Sequence, residues 1–368
     1  MRIEDEISLG DKRQKLKALF IGPYRQPDEW GFLSRSIVSS LLAIEKIDLT
    51  TRPIFLAHST AAPPVVDPGI FKAESNKQKK YDILIQHSLP NLMVADGNSG
   101  LNVGIASFET KNNVQWDNHL QLLDKILVFT EAEKKCISEH LQDKVHVIGS
   151  VVSEIDASMQ PPPNRFSFYV FAGNMETKGG FMPLLQSYLS EFHVNENVSL
   201  IVHTQNPHAT QELINVTVTA LGIYSGRYYP HIHIVAENPS DSLHKQCNCL
   251  VDTGVARGFK QEIAKGLLYG RTPIVLKGSG MDEYIDDSNG WVIKSDESIL
   301  VCPDRPLPNI FTARELGLTP NQFSLRKCMR NAFDSHILYA KKSSKGKGCG
   351  ELFTIERQAN LIEEALCP

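Results

Sequence analysis

Short apolar runs alternate with stretches of helical periodicity along most of this 368-residue chain, and that alternation leaves few architectures open. A run at 16–22 (LKALFIG) ends in glycine and proline, and a helical pattern follows over 32–46. Strand-like runs then come at 51–57, 81–87 (YDILIQH), 101–107 and 125–129. Thr130 and Glu133 stand three apart in a capping box, so a helix is expected from there to about residue 141, with a strand at 145–149 closing this half. Pro161-Pro162-Pro163 can neither continue a helix nor sit in a central strand, which puts the domain boundary at 156–165. Beyond it the alternation restarts, with strands expected at 167–172, 198–203, 231–236, 249–252 and 272–276. Helices are expected over 180–192, 208–221, 241–246 and 260–269. Strands alternating with helices call for parallel sheets covered on both faces. The expected fold class is therefore α/β, with two doubly wound Rossmann-like domains, 16–155 and 166–330, facing each other across a cleft. Segment 341–350 (KKSSKGKGCG) is expected to be mobile, and 351–368 to hold a C-terminal amphipathic helix.

Composition closes off other classes. Hydrophobic residues make up 42% and charged residues 22%, with 24 Gly and 20 Pro spread along the chain, which excludes collagen-like, disordered and coiled-coil readings. The formal charge of −4 attracts no polyanion globally. No stretch approaches the roughly 20 apolar residues of a membrane helix, and the first residues are charged where a signal peptide is apolar, so a cytoplasmic protein of a cell or a virus-infected host is expected. Cys247 and Cys249 are separated by one residue where structural zinc sites use two to four, so the seven cysteines read as reduced structural thiols and no metal is expected.

One stretch is more specific: 256–275 (ARGFKQEIAKGLLYGRTPIV), then Lys277-Gly278-Ser279-Gly280-Met281-Asp282-Glu283 and Asn289-Gly290-Trp291-Val292. It resembles the donor-site segment of retaining glycosyltransferases of the GT-B fold, family 4 in particular, with Gly258, Phe259, Gly270, Thr272, Pro273, Gly280 and Glu283 in matching places. Two further segments support the resemblance: 105–110 (IASFET) with Trp116 and 124–130 (DKILVFT) in the first half, and 173–180 (GNMETKGG) in the second. The resemblance implies a nucleotide-sugar donor, UDP- or GDP-linked, held mainly by the second domain, retention at the transferred carbon, no metal and no separate cofactor. The chain departs from the family at both acids of the donor motif, where Arg257 and Lys265 stand instead, and at a basic position, where Asn174 leaves Lys178 alone of the pair.

A diphosphate can be held without those acids, because the free N–H groups and dipole at a helix amino end favour an anion. Gly258 to Gln261 are expected at such an end, with Lys178, Arg257, Lys260 and Lys265 adding positive charge. Glu262 is either the salt-bridge partner of Lys265 or a displaced ribose ligand. Gly280 and, after the first strand, Gly22 are either ligand-facing or plain turn residues. His87 and Glu109 end strands at the carboxyl edge, where they read as acceptor or acid–base groups, or else as hydrogen-bonded strand ends. Trp116 reads as core before sugar platform, and His244 as a residue of an exposed helix. Three functions remain open: a glycosyltransferase acting on a glycan or small-molecule acceptor, a non-catalytic binding protein of the same fold, and a glycosyltransferase acting on hydroxymethylated bases in DNA.

Overall fold

The computed structural model describes residues 15–56, 67–111, 113–153, 155, 165–172, 180–222, 228–236, 240–299 and 314–367. The linker expected at 156–165 lies outside these except for Arg165. The first sheet holds six parallel strands, β1 (Leu16–Gly22), β2 (Ile47–Pro53), β3 (Ile83–His87), β4 (Leu101–Ile105), β5 (Lys125–Val128) and β6 (Val145–Val147), in the order β2-β1-β3-β4-β5-β6. Helices α1 (Glu29–Ala43), α2 (Pro68–Ser75), α3 (Asp117–Leu120) and α4 (Glu131–Lys134) connect them. Every residue of β3 is buried, as a parallel strand covered on both faces requires.

Several boundaries differ from the expected ones, and three of the larger differences have local reasons. Helix α1 starts at Glu29 rather than 32 because the Asp28 carboxylate accepts the Gly31 N–H at 2.9 Å. Strand β2 starts at Ile47 rather than 51, since Ile47 and Leu49 bury their side chains while pairing with Leu16 and Ala18. Helix α4 stops at Lys134 instead of 141: the Gln142 amide donates to Lys134 O and Ile137 O, taking carbonyls that a continuing helix would have used.

The second sheet runs β10 (Cys249–Leu250), β7 (Phe166–Phe171), β8 (Val198–His203), β9 (His231–Val235), all parallel. A bridge from Val251 to Ile274 extends it to β11 (Ile274–Leu276) and β12 (Trp291–Ile293). Its helices are α5 (Phe181–Glu191), α6 (Pro207–Leu221), α7 (Ser240–Gln246) and α8 (Gln261–Leu268). An antiparallel ribbon follows, β13 (Ser295–Ile299) with β14 (Leu316–Pro320), then α9 (Gln322–Asp334), α10 (His336–Lys347) and α11 (Ile355–Leu366). The strand order reverses between β1 and β3 in one sheet and between β7 and β10 in the other, the places where doubly wound sheets open a crevice.

The expected mobile segment at 341–350 is mostly α10, and it is anchored. Lys342 is buried, its ammonium bonded to Gly290 O at 2.7 Å and to Asp287 O and lying over the Trp291 ring, while Gly346 packs against Leu267. Helix α11 then returns to the first domain. Its buried face, Gln358, Ala359, Ile362, Ala365 and Leu366, lies on α1, where Ser40 Oγ donates to Gln358 Oε1 and the Gln358 amide donates to Gly149 O.

The two sheets meet around the first turn of α4. Thr130 caps that turn by accepting the Glu133 N–H at 3.2 Å, and the Glu283 carboxylate reaches across from the second domain to accept the N–H groups of Glu131 and Ala132 at 3.0 and 2.8 Å. Two glycines let the backbones close up. A Cβ on Gly280 (φ +92°) would lie 2.9 Å from Thr130 Oγ, and one on Gly258 (φ +116°) 3.0 Å from Glu133 Oε1. Removing a capping carboxylate of this kind costs about 0.5–2 kcal/mol. Glu283→Ala should therefore lower stability by about 1–2 kcal/mol in urea unfolding, with Glu283→Gln in between; equal stability of all three would show that this strut carries no load.

Candidate functional site

A cleft of about 570 Å³ lies between the two domains, at the carboxyl ends of both sheets. That is within the roughly 300–1,000 Å³ of small-molecule sites. The first domain contributes the start of α1 (Asp28, Glu29, Trp30 and Arg35) with Glu109 and Glu133. The second contributes the ends of β7 and β10, the start of α5 at Gly180 and Phe181, and residues 256–263 and 265 around α8.

Three helices present their amino ends here, and they differ. Asp28 caps α1, whereas α5 and α8 begin at Gly180 and Lys260 with no side-chain cap among the described residues. In α8 the first intrahelical bond is Ala264 N–H to Lys260 O, so the N–H groups of Gln261, Glu262 and Ile263 have no intrahelical acceptor. The Lys260 ammonium stands at that end, 2.6 Å from Asp252 Oδ2, and Asp252 Oδ1 accepts the Gly254 N–H. Two helix ends without a side-chain cap among the described residues give the second-domain wall free N–H groups that favour an anion.

Most residues singled out around α8 do reach the cleft: Arg257, Gly258, Phe259, Lys260, Glu262 and Lys265 all line it. The charges of Arg257 and Lys265 are engaged within the fold, however. The Arg257 guanidinium donates to Glu297 at 2.7 Å and to Leu316 O at 2.8 Å, tying it to the β13–β14 ribbon, and Glu297 also pairs with Lys111 at 2.5 Å. Lys265 lies 3.4 Å from Asp241 and 3.6 Å from Glu262. Phe259 turns its ring toward Tyr284 and Phe353 in the seam between the domains.

Other expected site residues lie elsewhere. Gly22 is buried against the Phe20 ring and Ser34, outside the cleft lining. Gly280 and Glu283 serve the interdomain contact at α4. Trp116 is core, edge-on to Phe108. Asn174 and Lys178 lie outside the described residues, between Ala172 and Gly180, which both line the cleft. Glu109 lines it too, and its carbonyl accepts the Arg257 N–H. His87 is wholly buried, stacked on Trp30 with ring centroids 5.1 Å apart, and neither ring nitrogen has a partner among the described residues. Burial pulls its pKa down to about 3, so it stands as a neutral imidazole behind Trp30 rather than as an exposed base.

Two groups were not anticipated. His244, expected on an exposed helix, has no exposed surface: Tyr269 stacks on it and Tyr169 meets it edge-on. Its Nε2 lies 2.9 Å from Glu262 Oε2 and its Nδ1 2.7 Å from the Tyr169 hydroxyl. Burial lowers the His244 pKa. The neutral ring that donates from Nε2 to the carboxylate and accepts the Tyr169 O–H at Nδ1 satisfies the whole chain. Burial alone would raise the Glu262 pKa, but the His244 hydrogen bond and the Lys265 charge bring it below the usual carboxylate value. The spacing of Glu262 and Lys265 was visible in the sequence; the pairing with His244, 18 positions away, was not.

The other is Glu133, wholly buried, with Oε2 accepting from Phe129 N–H at 3.0 Å and the Thr130 hydroxyl at 3.1 Å, and Oε1 against Gly258. Desolvation pushes its pKa up to about 8 despite those hydrogen bonds. The capping-box spacing announced this side chain as a helix-start residue and gave no sign that the other domain would cover it.

No known family model matches the sequence, and no curated protein matches it. Solved structures do resemble it in shape. HepE from Anabaena, in complex with UDP and glucose, matches with a TM-score of 0.60 at 14% identity over 96% of this chain and 99% of HepE. A glycosyltransferase from Rickettsia africae matches with 0.60 at 13% over 96% and 99%. The lipopolysaccharide outer core galactosyltransferase WaaB matches with 0.63 at 13% over 95% and 99%. With its two Rossmann-like domains and the cleft between them, the chain has the GT-B fold of these glycosyltransferases. Among the described residues no helix is long and apolar enough to cross a membrane.

The environment of Glu133 has a measurable consequence. Its folded-state pKa lies above the ordinary carboxylate value of about 4.3, so between the two the folded chain holds a proton that the unfolded chain has lost. Stability should therefore fall as pH rises from about 4.3 to about 8, and Glu133→Gln, neutral throughout, should remove that part of the slope. Parallel wild-type and variant profiles in urea unfolding would exclude a buried neutral acid.

Proposed function

We propose that the chain is a glycosyltransferase that takes a nucleotide-linked sugar at the second-domain wall of the cleft and passes the sugar to an acceptor on the first-domain side. The observation that carries this reading is the pair of amino ends, α5 and α8, with no side-chain cap among the described residues, opening into one interdomain cleft. Departure of the sugar leaves negative charge on the diphosphate, and fixed N–H dipoles aimed at it stabilise that charge without reorganising. Lys260, paired with Asp252, stands at the same end. Glu109 is the first-domain carboxylate suited to hold an acceptor hydroxyl. A metal-free, retaining reaction, as in the family that the 256–283 segment resembles, agrees with a site whose anion-holding groups are helix ends and a lysine. HepE, which matches over nearly its whole length, was solved with UDP and glucose, and this makes UDP the first donor nucleotide to try.

A non-catalytic binding role is the second reading, favoured by the engagement of Arg257 with Glu297 and of Lys265 with Asp241, which keeps both motif bases in structural pairs.

Thermal denaturation with UDP, GDP, ADP and their sugar conjugates tests both. A nucleotide at 100 times its dissociation constant should stabilise the chain by about 2.7 kcal/mol, and Lys260→Ala should weaken that nucleotide about tenfold or more. Release of free nucleotide from the bound sugar conjugate identifies an enzyme; stabilisation with no release over long incubation identifies a binding protein. No response to any nucleotide at millimolar concentration removes the donor reading altogether.

A further inference from the structure

Trp30 is set unlike the other two tryptophans of the chain. Trp116 and Trp291 are buried, each only 6% exposed, whereas Trp30, in the first turn of α1, keeps part of its surface open and lines the cleft from the first-domain side. One face of its indole lies on the His87 imidazole, with ring centroids 5.1 Å apart and planes 25° from parallel. The open part is therefore the opposite face and the rim. His87 meets Phe129 edge-on, and it is wholly buried with neither nitrogen bonded among the described residues. Leaving buried polar atoms unpaired costs free energy that an aliphatic side chain at the end of β3 would avoid. What the imidazole provides there is a flat backing that holds the indole in one plane.

Around this plate the first-domain wall is acidic. Asp28, Glu29 and Glu109 line it, and the one base among the described lining residues of this domain, Arg35, donates from Nη1 to the carbonyls of Tyr24 and Gln26 at 3.0 and 2.8 Å. A flat aromatic ring beside carboxylates suits a sugar. The C–H face of a sugar ring is apolar and slightly positive and packs on the negative face of an indole, while its hydroxyls donate to carboxylates. Phosphate or carboxylate groups would meet like charge on the same wall, and so would the backbone of DNA.

We propose that the acceptor is a neutral saccharide and that Trp30, backed by His87, is the platform for its ring. This rests on the glycosyltransferase reading above and names the acceptor class left open there. Trp30 touches the acceptor, and His87 is a positioning residue that acts through the plane of the indole.

The test uses the full chain saturated with whichever of UDP, GDP or ADP it binds, and follows tryptophan emission during titration with methyl glucosides, methyl galactosides, maltose, cellobiose and lactose. With Trp116 and Trp291 buried, a change in emission reports on Trp30. At least one of these neutral saccharides should shift the emission and speed the release of nucleotide from its sugar conjugate, ahead of glucose 6-phosphate, glucuronic acid and a duplex carrying hydroxymethylcytosine. Trp30→Leu still covers His87 but offers no flat face; it should weaken that saccharide about tenfold and leave the nucleotide affinity near wild type, and Trp30→Phe should restore much of the loss. His87→Leu fills the same space without unpaired nitrogens, so it should hold or raise the Tm while weakening the saccharide several-fold. If Trp30 serves only to cover His87, Trp30→Leu will lower the Tm and leave saccharide affinity unchanged, which overturns the platform. Unchanged saccharide affinity in His87→Leu overturns the positioning role. A preference for the phosphorylated or acidic sugar, or for the duplex, overturns the neutral class. Nucleotide binding with no response to any saccharide overturns the acceptor assignment and leaves the donor reading standing. Absence of binding by every nucleotide removes the donor reading, and the acceptor role of Trp30 with it.

Discussion

Contact between the amino-terminal turn of α4 and the two glycines of the second domain sets the geometry of everything else. The domains touch again where the Glu109 carbonyl accepts the Arg257 N–H and Lys111 pairs with Glu297, and the cleft opens beside these contacts. The contact at α4 is close only because Gly258 and Gly280 present no side chain, in conformations where an L-residue would be strained. Once the backbones are that near, the chemistry around them changes. Glu283 finds two N–H groups on the opposite domain, and Glu133 loses its water and keeps its proton. The arrangement is thus more than steric closure, since the same few residues decide both how the domains sit and what charge stands at the mouth of the site.

The α8 helix shows how one short element can serve fold and site together. Its inner face, Ile263, Ala264 and Leu267, is core, while its amino end is left without a cap in a chain that caps α1, α6, α9 and α11 with Asp28, Asn206, Asn321 and Thr354. The charged residues on it form a graded series. Lys260 stands at the end and leans on Asp252, Glu262 is held by His244, and Lys265 is drawn back to Asp241. With Arg257 committed to Glu297, Lys260 to Asp252 and Lys265 to Asp241, the described part of the wall offers its positive character chiefly through backbone dipoles. Arg257 and Lys265 thus serve the scaffold, and a carboxylate, Glu262, stands between them on the same wall.

The alternation of apolar runs made the doubly wound architecture legible, and the helix positions in the second half were close to those found, because strands such as 198–203 and helices such as 208–221 carry their own period and their own stop signals. Three kinds of information were not local. The end of α4 depends on Gln142 folding back to the Lys134 carbonyl. The order in 341–350 depends on Trp291 and Gly290 receiving Lys342. The burial of His244 depends on Tyr169 and Tyr269, residues on other elements that no window around position 244 contains. Likewise Gly280 and Glu283 looked like ligand residues because the segment they belong to resembles a donor-site motif, while in space they meet the other domain. Sequence pattern reports what a residue is bonded to along the chain, and each of these roles is set across it.

Helix α11 carries a mechanical implication. The chain leaves the first domain after Val152 and comes back to it at Phe353, and these two crossings run side by side, with the Val152 N–H donating to the Phe353 carbonyl at 3.1 Å. Two adjacent crossings act like paired pins on one edge of a door. They set the two covalent links between the domains side by side, so that any movement of one domain against the other would turn about that place.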